Sequence, residues 1–306
     1  MKIIIAGGTG LVGQNLIPVL ISAGHTLFLL SRRAAQKNLF PLDRVQTLYW
    51  DGKTLGDWTR CFDGADVVIN LCGEGIADKR WSSQQKEKLR LSRLDSTRLI
   101  VEAIKQSSVK PKVLVNASAV GFYGSVAEGE VDESRGPGQG FLVDLCVDWE
   151  KAALEAEALG VRVVLPRIGI VLDPKQGALA KMIPPFRWGI GGPLGSGKQW
   201  IPWVHIDDLV GMILFAISND GVRGPFNACA PNPVRMKDFC ASLGKVLDRP
   251  SWLPVPGFLL RFLLGEMVAM LLGGQRAVPR KMLQSGFRFR YSILESSLVS
   301  LIGHTI

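Results

Sequence analysis

Ile3-Ile4-Ile5-Ala6-Gly7-Gly8-Thr9-Gly10-Leu11-Val12-Gly13 decides the fold: an apolar run, then closely spaced glycines, then a helical pattern from Leu11 to Ala23. Strand, glycine turn and helix in that order are what a dinucleotide fingerprint requires. Gly7 and Gly8 permit a tight turn, and Gly10 lets the backbone approach a pyrophosphate with no Cβ in the way. Gly13 lets helix and strand pack closely. Free amides at a helix start face anionic phosphates. Gly7, Thr9, Gly10, Leu11, Val12 and Gly13 are therefore expected to hold a dinucleotide.

Outward from that turn, a second apolar run, Thr26 to Ser31, ends in Ser31-Arg32-Arg33, eighteen residues past Gly13. A site for NAD places Asp or Glu there to accept from the ribose 2′-hydroxyl. Serine and guanidinium suit a 2′-phosphate instead, because Arg makes charge-assisted paired hydrogen bonds to phosphate oxygens. Ser31, Arg32 and Arg33 thus point to NADP(H), with a solvated basic strand end as the plainer alternative. Further runs at 45–50, 66–71, 112–118 and 161–166 predict strands, separated by helical stretches at 82–106 and 141–159. The strands read as continuous apolar runs without alternation, so both faces are buried. That predicts an α/β fold, a Rossmann-type doubly wound parallel sheet covered by helices.

After Leu172 the character changes. Gly177, Pro184-Pro185 and the glycines from 189 to 197 predict long loops over the carboxyl edge of the sheet. A helix follows from Asp207 to Ser218, with Asp207-Asp208 expected to cap it and His205 read as structural, then a strand around Phe226. We expect a Rossmann-type domain over 1–230 and a smaller, mainly helical C-terminal lobe over 231–306, packed tightly on it. The apolar stretch from Val255 to Leu272 is interrupted by Pro256, Gly257, Arg261 and Glu266, too broken to span a bilayer. It reads as a buried helix or helix pair.

Composition fits a packed globule: 306 residues, 47% hydrophobic and 21% charged. Met1 leads directly into a strand without a secretory signal, and the five cysteines show no CxxC spacing. Reduced thiols, a cytoplasmic location and no metal are expected. The net charge of +9 comes from scattered basic residues with few aromatics among them. Such a surface draws anionic cofactor and substrate, and neither nucleic acid nor membrane is expected as partner. The sequence leaves the oligomeric state open.

Longer segments carry a resemblance. Asn70-Leu71-Cys72-Gly73-Glu74, Ile76-Ala77-Asp78-Lys79-Arg80-Trp81, Ser118-Ala119-Val120-Gly121-Phe122-Tyr123-Gly124, Gly195-Ser196-Gly197-Lys198-Gln199 and Trp203-Val204-His205-Ile206-Asp207-Asp208 occur in order. So do Gly274-Gln275-Arg276-Ala277-Val278-Pro279 and Gly286-Phe287. The chain resembles the atypical and extended short-chain dehydrogenase/reductases, the NAD(P)-dependent epimerase/dehydratase superfamily, and more narrowly a bacterial epimerase-family group with a small C-terminal domain. The resemblance implies that Leu71, Cys72 and Gly73 lie along the cofactor, with Arg93 close to it and Val171 near the nicotinamide.

The departures matter equally. Active extended members use Tyr-x-x-x-Lys after the fifth strand, the lysine lowering the tyrosine's pKa for proton exchange with substrate. Counted from the Tyr123-Gly124 anchor, those positions hold Cys146 and Glu150. The usual Ser/Thr position is Ala119, with Ser118 one residue earlier. Tyr123 reads as a packing residue and Cys146 as buried. Glu150 either faces the cleft as a catalytic carboxylate, with Ser118 as its companion, or is solvated. Glu74, Lys79, Arg80 and Trp81 lie where ligands sit in a doubly wound sheet and could hold a small polar or anionic substrate; a charged surface loop is the alternative. Two functions stay open: an NADP(H)-dependent oxidoreductase or epimerase-like enzyme, and an NADP(H)-binding regulator or scaffold that has lost the chemistry.

Overall fold

The computed structural model describes residues 1–32 and 44–303. Seven parallel strands form the main sheet: β1 (Lys2–Ala6), β2 (Thr26–Ser31), β3 (Val45–Tyr49), β4 (Val67–Asn70), β5 (Val113–Asn116), β6 (Arg162–Ile168) and β7 (Gly224–Ala228). Their order is β3-β2-β1-β4-β5-β6-β7, and the two-residue strand Ser118–Ala119 also pairs with β6. The order reverses between β1 and β4, which puts the topological switch point, where open α/β sheets bind ligands, beside the glycine turn.

The apolar runs explain the layers. Alternate residues of each strand point to opposite faces. Ile3, Ile5, Val67, Ile69, Val113 and Val115 pack with Leu16, Ile17 and Leu20 of α1 (Leu11–Ser22) and with Leu209 and Ile213 of the later helix Ile206–Ser218. Ile4, Val68, Leu114 and Val163 face the other way, onto Ile100 and Ile104 of α2 (Ser83–Gln106) and Ala153 of α3 (Phe141–Leu154). Ser82 caps α2 by accepting from the Gln85 amide at 3.1 Å. The α-helix of α3 is shorter than expected: it passes into a 3-10 turn over Glu155–Leu159 and stops at Gly160, whose φ of 82° is left-handed.

Three expectations are corrected. Residues 177–187 form a helix, α4 (Gly177–Arg187), rather than loop. Leu179, Ile183 and Phe186 fall on one face and bury in a core shared with Phe239 and Leu243 of the later helix Met236–Leu247, so tertiary burial overrides Pro184 and Pro185. Helix α5 (Ile206–Ser218) is capped by His205, whose Nδ1 accepts from the Asp207 amide at 3.0 Å. The Asp208 carboxylate instead accepts from the Arg290 and Tyr291 amides, both at 2.9 Å, and so pins the C-terminal segment. Finally, the apolar stretch after Val255 forms α6's successor in the C-terminal region: α6 is Met236–Leu247 and α7 is Gly257–Leu264, followed by a 3-10 turn at Gly265–Met267 and a short helix Val268–Leu272. It is a string of helices, as expected, but mostly exposed, with Leu260 and Met267 its buried contacts. Breaks at Pro256-Gly257 and Gly265 keep the pieces short, so each lays only one side on the protein.

The C-terminal region is mainly helical and is stitched to the first part of the chain. Arg276–Ala277 pairs in parallel with Glu130–Val131, and Val234–Arg235 pairs antiparallel with Trp200–Ile201. Among the described residues, no helix is long and apolar enough to cross a membrane.

Candidate functional site

Gly7 turns with a φ of 81°, and a Cβ placed there would stand 2.6 Å from the Leu71 carbonyl carbon, so the two strand ends touch backbone to backbone. A Cβ on Gly13 would meet the Gly8 Cα at 2.6 Å, which is the close helix–strand approach expected of that glycine. Gly10 differs. Its Cβ position has only the Gly7 carbonyl oxygen nearby, at 3.4 Å, and is otherwise open. No side chain caps α1, and its first turn carries no acidic residue. The amides of Leu11, Val12 and Gly13 therefore have no acceptor along the helix and sit at its positive end.

Several residues singled out from the sequence meet here. Leu71 follows β4 and leans on Gly7, and the Cys72 amide donates to Asn70 Oδ1 at 3.1 Å. Gly73 lies against the Arg93 guanidinium, which donates to the carbonyls of Leu89 at 3.0 Å and Glu74 at 3.1 Å and stands 5.2 Å from the Trp149 ring centroid. Burial holds the Arg93 pKa below its ordinary value. The Cys72 thiol is pushed up to about 12 by burial, with the charge of Arg32, which follows β2, opposing the shift. Val12, Leu71 and Val171 are half-buried residues at the border of one core cluster. Thr9 lies in the turn and its carbonyl accepts from Gln14 Nε2 at 2.9 Å. Ser31 is half-buried at the end of β2 and Arg32 is exposed, while Arg33 lies outside the described residues.

The expected substrate residues are less of a unit. Glu74 has its backbone clamped on both sides, its amide donating to Ser92 Oγ at 3.0 Å and its carbonyl accepting from Arg93. Trp81 is half-buried, donates to the Ile76 carbonyl at 3.0 Å and meets Phe141 edge to face at 5.4 Å. Lys79 and Arg80 are exposed, Arg80 lying against Gly265 of the C-terminal region.

The place of the missing tyrosine–lysine pair is closed. Glu150, 5% exposed, accepts a bidentate pair from Arg167 at 2.8 Å on each oxygen, and Ser118 Oγ donates to it at 2.6 Å. Arg167 Nη1 donates to the Tyr123 hydroxyl at 2.9 Å, and that hydroxyl donates to Asn227 Oδ1 at 2.7 Å. Asn227 Nδ2 continues to the carbonyls of Val131 at 3.2 Å and Val278 at 2.9 Å. Burial alone would lower the Arg167 pKa, but the Glu150 carboxylate and the Tyr123 oxygen together outweigh it and the net shift is upward. Burial pushes the Tyr123 hydroxyl up to about 12 and the Cys146 thiol, also beside Glu150, to about 12. Glu150 is therefore buried and paired rather than solvated.

Sequence reasoning missed the partners in this network. Arg167 is a charge inside the apolar run of β6, a signal in itself, since a buried arginine demands a counter-charge. Asn70 and Asn116 close the runs of β4 and β5 in the same register. With Thr97 and Trp149 they form a buried cluster: Asn70 Nδ2 donates to Asn116 Oδ1 at 2.6 Å and to Thr97 Oγ1 at 2.9 Å, and Trp149 Nε1 donates to Thr97 Oγ1 at 3.0 Å.

The NAD dependent epimerase/dehydratase family matches residues 3–229, and a domain of unknown function matches residues 255–301. The epimerase family protein YfhF of Bacillus subtilis is 41% identical over 303 residues, 99% of this chain and 98% of that protein. The chloroplastic SDR39U1 homolog of Arabidopsis thaliana, also described as an epimerase family protein, is 40% identical over 305 residues, 99% of this chain and 87% of that one. Among solved structures, the human epimerase family protein SDR39U1 with NADPH superposes with a TM-score of 0.87 at 32% identity over 99% of both chains. The chain belongs to the NAD dependent epimerase/dehydratase family.

Proposed function

We propose that this epimerase-family chain binds NADP(H) and serves as a cofactor-dependent binding protein, with the usual proton-transfer position converted into a structural ion pair. The glycine turn fits the cofactor: the open side of Gly10 and the acceptor-free amides of Leu11, Val12 and Gly13 suit a pyrophosphate. Ser31, Arg32 and Arg33 would hold the 2′-phosphate, the Leu71 to Gly73 backbone and Arg93 would flank the cofactor's middle, and Val171 would sit near the nicotinamide. A related human structure, 32% identical, holds NADPH. The chemistry such a cofactor would supply is hydride transfer, were a substrate held against its nicotinamide.

The observation that carries the reading is Glu150. Both of its carboxylate oxygens are engaged inside the protein, Oε1 by Arg167 and Ser118 and Oε2 by Arg167, and the side chain is buried, which supports a structural rather than a proton-transferring role. The decisive measurement pairs NADPH affinity with turnover. Tight NADPH binding and no NADPH oxidation across a panel of small carbonyl compounds is expected. Sustained turnover abolished by Glu150→Gln in a protein with unchanged stability would overturn the binding-protein reading.

A second reading, an oxidoreductase or epimerase acting on a small polar or anionic substrate, rests on Glu74. Its carboxylate is half-exposed at the carboxyl edge of the sheet on a backbone held by Ser92 and Arg93, with Lys79, Arg80 and Trp81 following. Turnover lost in Glu74→Gln but kept in Glu150→Gln would favour it.

A further inference from the structure

Two segments far apart in sequence lie side by side. The Val255 amide donates to the Pro193 carbonyl at 2.9 Å, the Gly195 amide to the Val255 carbonyl at 2.9 Å, and Arg249 Nε to the Arg187 carbonyl at 3.3 Å. Gly192 has room only for hydrogen against the Leu253 backbone, and a Cβ placed on Gly257 of α7 would stand 3.9 Å from Gly195 Cα. Residues 187–195, 249–255 and α7 therefore make one continuous surface.

That surface is unusually apolar. Trp188, Trp252 and Phe258 are each 75% exposed and Phe262 is 79% exposed, with Ile190, Leu253, Leu259 and Leu263 around them. On α7 the residues at 258, 259, 262 and 263 share one face at helical spacing, while Leu260 makes the buried contact. Clustered exposed aromatics mark an interaction surface, unlike single exposed apolar residues. The charge pattern selects the partner. Arg187, Arg249 and Arg261 are exposed within the patch, and neither 174–206 nor 249–265 contains a single Asp or Glu. The flanking Glu266 is paired with Lys86.

We infer that this surface docks the protein on an anionic lipid bilayer, the aromatic and aliphatic side chains entering the headgroup–acyl boundary while Arg187, Arg249 and Arg261 meet lipid phosphates. Tryptophan and phenylalanine beside three exposed arginines, with carboxylates only at the flanks in Asp248 and Glu266, is the chemistry of an interfacial anchor. The anchor lies on the surface and does not span the bilayer. It departs from the expectation of no membrane partner, which rested on the broken apolar stretch after Val255 and on basic residues scattered along the chain with few aromatics among them. It is also independent of whether the cofactor site turns over a substrate.

The test is sedimentation of the full chain with vesicles of phosphatidylcholine alone and of phosphatidylcholine mixed with phosphatidylglycerol. Binding to the mixed vesicles is expected, weakened by salt, with a blue shift in tryptophan fluorescence. Replacing two exposed side chains, Phe258→Ser with Phe262→Ser, should reduce the partition coefficient by roughly tenfold or more at unchanged melting temperature. Arg187→Gln with Arg249→Gln and Arg261→Gln should flatten the salt dependence, an independent variant should the first pair fail to fold. No binding to the mixed vesicles, or equal binding by the wild type and the phenylalanine variant, overturns the inference. So does a stable wild-type dimer that the same variant dissociates without any vesicle binding, since a second copy would then own the patch.

Discussion

The glycine turn and the β5–β6 end of the sheet occupy neighbouring positions on one edge and treat polar groups in opposite ways. At the turn, the first amides of α1 lack helical acceptors, no side chain caps them and Gly10 faces open space. Around Glu150 every charge has a partner inside the protein, from Ser118 through Arg167 and Tyr123 to Asn227. Unsatisfied polar groups at a surface await a ligand. A satisfied buried network holds elements together, here the sheet to the C-terminal segment through the Val278 carbonyl. The difference teaches that one sheet edge can leave some polar groups open to solvent and close others on partners inside the protein.

The sharpest way to break that comparison is Glu150→Gln. Removing one partner of a buried ion pair leaves Arg167 uncompensated, with side chains only 4% and 7% exposed, and a loss of about 3–5 kcal/mol of stability is expected by urea unfolding. NADPH affinity of the folded fraction should hardly move. A stable variant with altered cofactor or substrate behaviour would instead put Glu150 in the site.

Next in size is Gly13→Ala. The added methyl would stand 2.6 Å from Gly8 Cα, where backbone rather than a flexible side chain must yield. Overpacking of this kind costs about 1–3 kcal/mol, and NADPH binding should weaken as well because the turn is displaced. Loss of stability with unchanged cofactor affinity would separate the turn from the ligand. Smaller again, Arg32→Ala should weaken NADPH about tenfold, the worth of one exposed charge-assisted contact, and leave NADH unchanged in parallel titrations. Equal losses for both cofactors would mean that Arg32 reads no 2′-phosphate.

The open region was legible in the sequence and the closed one only in part, for a physical reason. Glycine roles depend on a local strand–turn–helix context, which adjacent residues reveal. Ion pairs such as Glu150–Arg167 join residues from different elements, and Tyr123–Asn227 spans more than a hundred positions. Sequence spacing placed Glu150 at the lysine position but could not show that β6 delivers an arginine to it. Likewise the helix at 177–187 hid behind Pro184-Pro185, because its stabilisation comes from burial against Phe239 and Leu243. The Val255 to Leu272 stretch showed its helices but not their exposure, since apolar content does not say which side meets the protein.

The smallest expected effect concerns a third kind of polar group, one kept neutral by burial. His205 is 3% exposed, caps α5, stacks on Tyr291 at 3.8 Å and lies 3.1 Å from Ser300 Oγ. Burial lowers its pKa from the ordinary 6.5, with Asp207, Asp208 and Asp173 opposing the shift and Arg290 adding to it. The unfolded chain then takes up the proton first. Stability from this group is complete above pH 6.5 and is lost as pH falls below that value toward the depressed folded pKa. Unfolding curves between pH 7.5 and about 5 should show that decline in the wild type. His205→Asn keeps a side-chain acceptor for the Asp207 amide, so it should flatten the decline in this window while lowering stability modestly throughout. An identical slope in the variant would assign the pH response elsewhere. It would also leave the glycine turn and the Glu150 network as the two ways this edge of the protein handles polar groups.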